Sequence, residues 1–174
     1  MPKSSKKQID EDEKKVIAEL QRNSKESIDK IAKKCGFSRQ KVWRIIKRLE
    51  NNKTIWGYHA IVDTEKLDLK NYLLLIKKTN EPIGELADVI ISRALEENAR
   101  DVGVTIGCSE YLHGCFDWSI CFTAESIRQA KKFCEVMNKI YENHIEEMHL
   151  IERIFPVAIC GTNNPNLEKL KEFL

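Results

Sequence analysis

The sequence lacks the features that mark membrane and secreted proteins. No uncharged apolar run approaches the roughly 20 residues that a membrane-spanning helix requires. The N-terminus reads Met-Pro-Lys-Ser-Ser-Lys-Lys, and no apolar segment follows it, which argues against a secretion signal. We therefore expect a cytoplasmic protein in which residues 1–9 form a flexible basic arm.

The six cysteines also lack the spacing of a metal or disulfide motif. None forms a C-x-x-C pair, and no zinc-finger spacing of cysteine and histidine occurs. Cytosolic thiols stay reduced, and most of these cysteines suit small positions in a core. We predict no metal site and no cofactor, with Cys108, Cys115 and His113 as the alternative for a structural or redox metal site.

Charge is divided unevenly along the chain, although the net charge of the 174 residues is only +2. Residues 1–63 hold 16 Lys/Arg and 9 Asp/Glu, a net of +7, whereas residues 64–174 hold 13 and 18, a net of −5. A basic region joined to an acidic one indicates that only the first meets a polyanion. The alternative is that these charges merely solvate exposed helix faces.

Residues 36–49 carry the most specific pattern, which is that of the turn and second helix of a helix-turn-helix. Gly36 suits the left-handed residue that ends one helix, and Ser38 suits the N-cap of the next. Apolar side chains then recur at i, i+3, i+4 and i+7, which predicts one buried stripe: Val42, Ile45, Ile46 and Leu49. The opposite face is basic and polar, as entry into the DNA major groove requires.

The exposed side of this helix supplies the candidate DNA contacts. Base contacts are predicted for Arg39, Gln40 and Arg44, since they occupy the first two turns and match guanine and adenine edges. Phosphate contacts are predicted for Lys47, Arg48 and Lys53, which lie further along. Trp43 suits either the domain core or a position against the sugar–phosphate backbone. No catalytic residue is predicted.

Two more helices and an extended segment complete a DNA-binding domain at residues 10–63. The first helix is predicted to begin at Asp10, which can act as its N-cap, and the second opens at Ser27. Residues 54–63 are rich in β-branched and aromatic side chains, so we expect either a wing or a strand that links two domains. Residues 64–70 form a polar connector.

The remaining sequence predicts the order βαββαβ over residues 71–160, followed by a tail at residues 161–174 with a short helix. One long helix is expected from Pro82 through Leu95, and the fourth strand from Met148 to Ile159. This order predicts a four-stranded antiparallel sheet with its helices on one face, a ferredoxin-like α+β arrangement. The uncovered sheet face favours dimerisation.

These patterns resemble the Lrp/AsnC family of transcription regulators, also called feast/famine regulators, over residues 9–160. The similarity is most specific at Gly36, Phe37, Ser38, Val42, Arg44, Ile46, Lys47, Arg48, Leu49, Glu50, Ile55, Gly57, Tyr58, Ala60, Asp63 and Leu67, and it recurs in Gly-Cys-Phe-Asp at residues 114–117. The resemblance implies a homodimer, often assembled into larger rings, that binds double-stranded promoter DNA and responds to a metabolite such as an amino acid.

The same resemblance implies an effector site near the Gly-x-x-Asp turn, where members of the family bind a small molecule between subunits. Gly114, Phe116 and Asp117 are therefore the effector-binding candidates. Asp117 suits a contact with an ammonium group, or it caps the turn that it follows. Lys53 stands where the family usually has glycine, so either Asn52 or Lys53 takes the left-handed conformation.

Two other functions are compatible with this scaffold. Some relatives of the family are enzymes that decarboxylate haem precursors, and an architectural protein that coats DNA would also be basic at one end. The strongly basic recognition helix and the lack of an evident catalytic pair favour a sequence-specific regulator.

Overall fold

The computed structural model describes residues 6–82 and 84–174, and the chain forms two compact units. One unit extends to Ile61 and includes Ala158–Asn163, whereas the other holds Val62–Val157 and Asn164–Leu174. Among the described residues, no helix has the length and apolar character needed to cross a bilayer.

The first unit contains three helices: α1 (Lys6–Arg22), α2 (Ile28–Cys35) and α3 (Arg39–Asn51). The side chains of Ser27 and Ser38 each accept a backbone N–H of the helix that follows, and Gly36 is left-handed with φ 69°. The predicted turn and caps are therefore confirmed. The buried core consists of Val16, Ile31, Ala32, Val42, Ile45 and Leu49.

The predicted start of the first helix at Asp10 is wrong, because α1 already includes Lys6. Lysine and glutamine are good helix formers, and no glycine or proline separates residue 6 from residue 10, so the helix extends through this stretch of the expected arm. Residues 1–5 of that arm lie outside the described residues. After α3, Lys53 takes the left-handed conformation with φ 59°.

Residues 54–63 form neither a wing strand nor a linking strand in the single chain. A β-strand exists only when a neighbouring strand accepts its backbone hydrogen bonds. In the described part of the chain no strand pairs with this segment, and a 3-10 turn at Thr64–Leu67 follows it. Trp56 and Tyr58 are both exposed here.

The second unit is built on a four-stranded antiparallel sheet. Its strands are β1 (Lys70–Lys78), β2 (Thr105–Tyr111), β3 (Trp118–Ala124) and β4 (Ile145–Arg153), in the spatial order β2-β3-β1-β4. The predicted ferredoxin-like arrangement is therefore confirmed. Its helices are α4 (Gly84–Ile91), α5 (Ala94–Asp101) and α6 (Ile127–Ile140), and Ser126 is the N-cap of the last.

One expected long helix is instead two, because the chain breaks between α4 and α5. The Ser92 hydroxyl donates to the Val89 carbonyl at 2.7 Å, and Arg93 is left-handed with φ 57°. A serine that bonds to a nearby backbone group competes with the helical hydrogen bonds.

The fourth strand ends at Arg153 rather than at Ile159. Pro156 has no N–H to donate to a ladder, so it cannot continue the strand. A short hairpin of β5 (Ala158–Ile159) and β6 (Thr162–Asn163) follows, and the terminal helix is a 3-10 turn at Leu167–Glu172.

The two faces of the sheet differ. Tyr72, Leu74 and Ile76 of β1 point into a core that α5 and α6 complete. The alternate residues Leu73 and Leu75 point away from this core. We call the side of the sheet that faces away from this core the outer face. Its residues include Leu73, Leu75, Cys108, Ser119, Cys121, His149 and Ile151.

Candidate nucleic-acid interface and effector cleft

The outward side of α3 presents unobstructed hydrogen-bond donors. Val42, Ile45 and Leu49 are buried, whereas Gln40 and Arg44 are exposed on the opposite side of the helix. The Arg44 guanidinium makes a long contact from Nε to the Gln40 carbonyl oxygen at 3.4 Å, and no carboxylate among the described residues pairs with it. Its outer nitrogens are therefore available to a ligand.

Arg39 and Lys47 are exposed cations that pair with neighbouring carboxylates. Arg39 Nη1 lies 3.6 Å from Asp29 Oδ2, and Lys47 Nζ lies 2.8 Å from Glu50 Oε2. The hydrogen bond to Glu50 raises the pKa of Lys47, so the ammonium stays charged. Exposed pairs of this kind are weak and screened by salt, so a phosphate can replace the carboxylate.

Arg48 points to the opposite flank of α3, where it pairs with α1. Its Nε lies 2.6 Å from Glu13 Oε1. Two turns earlier, Lys41 Nζ lies 2.7 Å from Oδ2 of Asp12, whose side chain is buried at 4% exposure. The same Nζ lies 3.9 Å from the centre of the Phe37 ring. Sequence reasoning missed Lys41, and the acidic run at residues 10–13 of α1 is the signal that could have pointed to it.

Trp43 and Lys53 complete the predicted set. Trp43 is 51% exposed and is not part of the buried core of this unit, so the structure places it on the surface beside the outward side of α3. Lys53 is exposed directly after the helix, and no carboxylate in the described chain pairs with it. Four of the seven candidates lie on or beside the outward side of α3, namely Gln40, Trp43, Arg44 and Lys47. Lys53 follows the C-terminal end of α3, Arg39 stands at its start, and Arg48 lies on the opposite flank.

A small cleft lies beside Asp117 in the second unit. It is lined by Ile76, Lys78, Tyr111, Asp117, Trp118, Tyr141, His144 and Ile145. Asp117 is anchored there, because its Oδ2 accepts the Lys78 N–H at 2.9 Å and its own N–H donates to the Ile76 carbonyl at 2.9 Å. Asp117 therefore anchors its turn to β1 through its side chain, rather than capping the turn itself.

The Tyr141 hydroxyl has no hydrogen-bond partner among the described residues, although the side chain is only 1% exposed. Its ring meets Trp118 edge-on at 5.1 Å, and the Tyr111 ring stacks with Trp118 at 5.7 Å. Burial raises the pKa of Tyr141 to about 12. The cleft thus has aromatic walls, formed by Tyr111, Trp118 and Tyr141.

The structure does not gather the three effector candidates around this cleft. Phe116 meets His149 of the outer face edge-on at 5.3 Å, and Gly114 is exposed in a bend. A Cβ on Gly114 would meet no atom within 4 Å, and its φ is not left-handed, so the fold does not require glycine there.

The alternative metal cluster of Cys108, Cys115 and His113 does not form. Within residues 6–82 and 84–174, no three histidine, cysteine or acidic side chains converge as metal ligands require. Cys115 is exposed, whereas Cys108 is half-buried on the outer face.

Sequence comparisons relate the first unit to DNA-binding proteins. Residues 9–55 match the family described as winged helix-turn-helix DNA-binding. The leucine-responsive regulatory protein of Haemophilus influenzae is 40% identical over 68 residues, which are 39% of this chain and 41% of that protein. The matched stretch thus spans about two fifths of the length of this relative.

Solved structures extend the likeness along the chain. An AsnC family transcriptional regulator from Agrobacterium tumefaciens has a TM-score of 0.63 and 19% identity, over 91% of this chain and 97% of that one. A transcriptional regulator from Neisseria meningitidis, in complex with L-Met, has a TM-score of 0.65 and 12% identity, over 95% and 99%. At such identities the likeness concerns the fold alone. Together with the N-terminal sequence match, it confirms the resemblance to the Lrp/AsnC regulators.

Proposed function

We propose that this protein is a cytoplasmic, sequence-specific DNA-binding transcription regulator of the Lrp/AsnC type, modulated by a small metabolite such as an amino acid. The observation that carries the proposal is the outward side of α3, where Gln40 and Arg44 are exposed above a buried apolar seam. A helix of this construction can enter the major groove and read base edges. The match of residues 9–55 to a DNA-binding family supports the same conclusion.

The proposed contacts divide into base readers and phosphate binders. Arg39, Gln40 and Arg44 read bases from the first two turns of α3. Lys47 and Lys53 bind phosphate, and Trp43 packs against the DNA backbone. Arg48 retains a phosphate role only if it leaves Glu13, so we rank its contribution below that of Lys53.

The test is to select the preferred duplex from a random pool and to compare its affinity with that of random DNA at several salt concentrations. A regulator is expected to footprint discrete sites, and to lose affinity on the order of 10³-fold between 50 and 200 mM salt. Equal affinity for every sequence would instead support an architectural protein that coats DNA.

We further propose a homodimer, able to assemble into larger oligomers, that forms through the outer face of the sheet. Within the second unit, the described helices α5 and α6 pack on the opposite side, and Leu73, Leu75 and Ile151 stay partly exposed. Apolar surface of this kind is usually buried against a partner. A dimer would also present two recognition helices to successive major grooves, about 34 Å apart.

For the effector, we propose a metabolite that binds at the turn of residues 114–117 and the neighbouring cleft. Asp117 lines the cleft and supplies a carboxylate, which suits the ammonium group of an amino acid. The likeness in fold to a regulator in complex with L-Met supports an amino acid. Such a ligand shifts the assembly, and with it DNA occupancy, by binding one state more tightly.

We propose no catalytic activity. The relatives named above are transcription regulators, and the cleft offers no nucleophile with a neighbouring base. Tetrapyrrole absorbance that persists through purification would instead support an enzyme of the haem-precursor decarboxylase kind.

A further inference from the structure

Cys108 of β2 and Cys121 of β3 lie directly opposite each other in the antiparallel pair. Residues so placed have Cα atoms about 4.5–5.5 Å apart. A disulfide requires Cα atoms roughly 4.4–6.8 Å apart. The two cysteines therefore meet the backbone requirement for a cross-link without rearrangement of the sheet.

A β-bulge creates this juxtaposition. Ile106 pairs with Phe122, yet Cys108 pairs with Cys121, so Gly107 is the extra residue of β2. In a regular ladder Cys108 would oppose Ile120, and the two thiols would point to opposite faces of the sheet. The bulge instead places both thiols on the outer face.

The other four cysteines have no such partner. Cys35 ends α2 in the first unit, Cys134 lies within α6, and Cys115 and Cys160 are exposed in loops. The register of the sheet thus singles out one pair among six thiols.

We propose that Cys108 and Cys121 are a redox modification site that forms a reversible intrachain disulfide. The oxidant is a low-molecular-weight disulfide. One protein thiolate attacks a sulfur of this oxidant, forms a mixed disulfide and releases one small thiolate. The second protein thiolate then attacks the bound protein sulfur and releases the other small thiolate. The two protons lost by the cysteines end on the two small thiols, and two electrons pass to the oxidant.

The environment of the pair sets the rate of this exchange. Burial, followed by the charges of Glu110 and the neighbouring Cys121, raises the pKa of Cys108 to about 11. Because only the thiolate is nucleophilic, disulfide exchange at this pair is slow at neutral pH and accelerates in alkaline solution.

The location of the pair gives the modification a consequence that rests on the proposed function. Cys121 is also paired with Leu73 of β1, one of the apolar residues of the outer face. A cross-link there stiffens the edge strand β2 at the surface that we assign to dimer contact. Oxidation is therefore expected to change the dimer dissociation constant several-fold.

The experiment uses the full chain, reduced and then equilibrated in mixtures of reduced and oxidised glutathione. Residues 101–128 contain no internal lysine or arginine, so one tryptic peptide carries Cys108, Cys115 and Cys121. Additional cleavage after Glu110 and Phe116 separates the three cysteines, and mass spectrometry then identifies the linked pair.

We expect a Cys108–Cys121 link, four of the six thiols still free, and the same link in Cys115→Ser. Cys121→Ser should lose it. A disulfide from Cys115 to Cys108 or Cys121, or disulfides between chains only, would overturn the proposal. The wild-type protein alone is sufficient for this test, even if a variant misfolds. Sedimentation of the reduced and the oxidised protein then tests the dimer. If the Cys108–Cys121 disulfide forms but neither protein is a dimer, the proposed assembly is refuted, whereas the modification site is still supported.

Discussion

Lys41 of the recognition helix reaches across to α1, where its Nζ lies 2.7 Å from Oδ2 of the buried Asp12. On the same flank, Arg48 pairs with Glu13 at 2.6 Å. The basic residues of α3 are thus divided by position. One flank orients the helix against α1, whereas the outward side, with Gln40 and Arg44, remains exposed.

This division predicts opposite effects for two cations of one helix. Lys41→Met should destabilise the protein by about 2 kcal/mol, since it removes a cation from a buried carboxylate while it keeps the apolar stem. Arg44→Ala should change stability by less than about 0.5 kcal/mol, because its side chain is exposed. Urea unfolding measures both. Equal effects on stability would contradict the division.

The base and phosphate assignments predict different losses of DNA binding. Arg44→Ala should cost about 1–3 kcal/mol on the preferred duplex and blur discrimination, since a base contact is lost. Lys53→Ala should weaken preferred and random duplexes nearly alike. Titrations of each variant with both duplexes provide the measurement. If Arg44→Ala lowers both affinities equally, the assignment of Arg44 as a base reader is wrong.

The outer face predicts that a charge at Ile151 disrupts the dimer. Ile151 on β4 is 42% exposed, and Ile127 at the start of α6 is 44% exposed, on the helical side of the same domain. Ile151→Lys should sediment as a monomer at micromolar concentration, because it places a charge in the apolar contact. Ile127→Lys is the matched control and should remain dimeric. Dimers for both variants would exclude this face.

The turn of residues 114–117 predicts how an effector responds to two mild substitutions. Gly114→Ala adds a methyl group into open space, so stability should not change, whereas a ligand that approaches the backbone should bind more weakly. Asp117→Asn keeps an oxygen for the Lys78 N–H but removes the charge for an ammonium group. Thermal-shift screening of amino acids against the three proteins gives the measurement. A ligand that stabilises all three equally would place its site elsewhere.

Burial of the Tyr141 hydroxyl predicts a difference in alkaline stability. The pKa is about 12 in the folded protein and roughly 10 in an unfolded chain, so the folded state disfavours the phenolate. This part of the stability is complete below pH 10 and is lost as the pH rises through 12. Tyr141→Phe should be as stable as the wild type, or about 1 kcal/mol more stable, at pH 7 because no hydrogen bond is lost.

The same variant should fall by roughly 2 kcal/mol less than the wild type between pH 9 and 12. Urea unfolding of the wild type and Tyr141→Phe across this range makes the comparison. Parallel pH curves for the wild type and Tyr141→Phe would show that Tyr141 does not titrate as its burial requires.

The DNA-binding candidates show how far sequence reasoning reaches into the site. Gln40 and Arg44 were predictable as outward residues, since helical periodicity places them opposite Val42 and Ile45. Arg48 follows Arg44 by one helical turn and carries the same charge, so the sequence does not distinguish the two. Only the structure shows that Arg48 pairs with Glu13 of another helix. Phe116 and Asp117 are adjacent in sequence, yet one contacts His149 and the other anchors to Lys78, which the motif alone does not distinguish.

Sequence by itself determined the local features: the caps at Ser27 and Ser38, the left-handed Gly36, and the four strands of the main sheet. Each depends on the conformation of a few consecutive residues or on the period of one element. Only the tertiary structure decided where helices and strands end and which distant residues come into contact. A strand needs a partner, which residues 54–63 lack in the single chain. The pairing of Cys108 with Cys121 depends on one bulge residue, because a shift of one position moves every side chain to the other face.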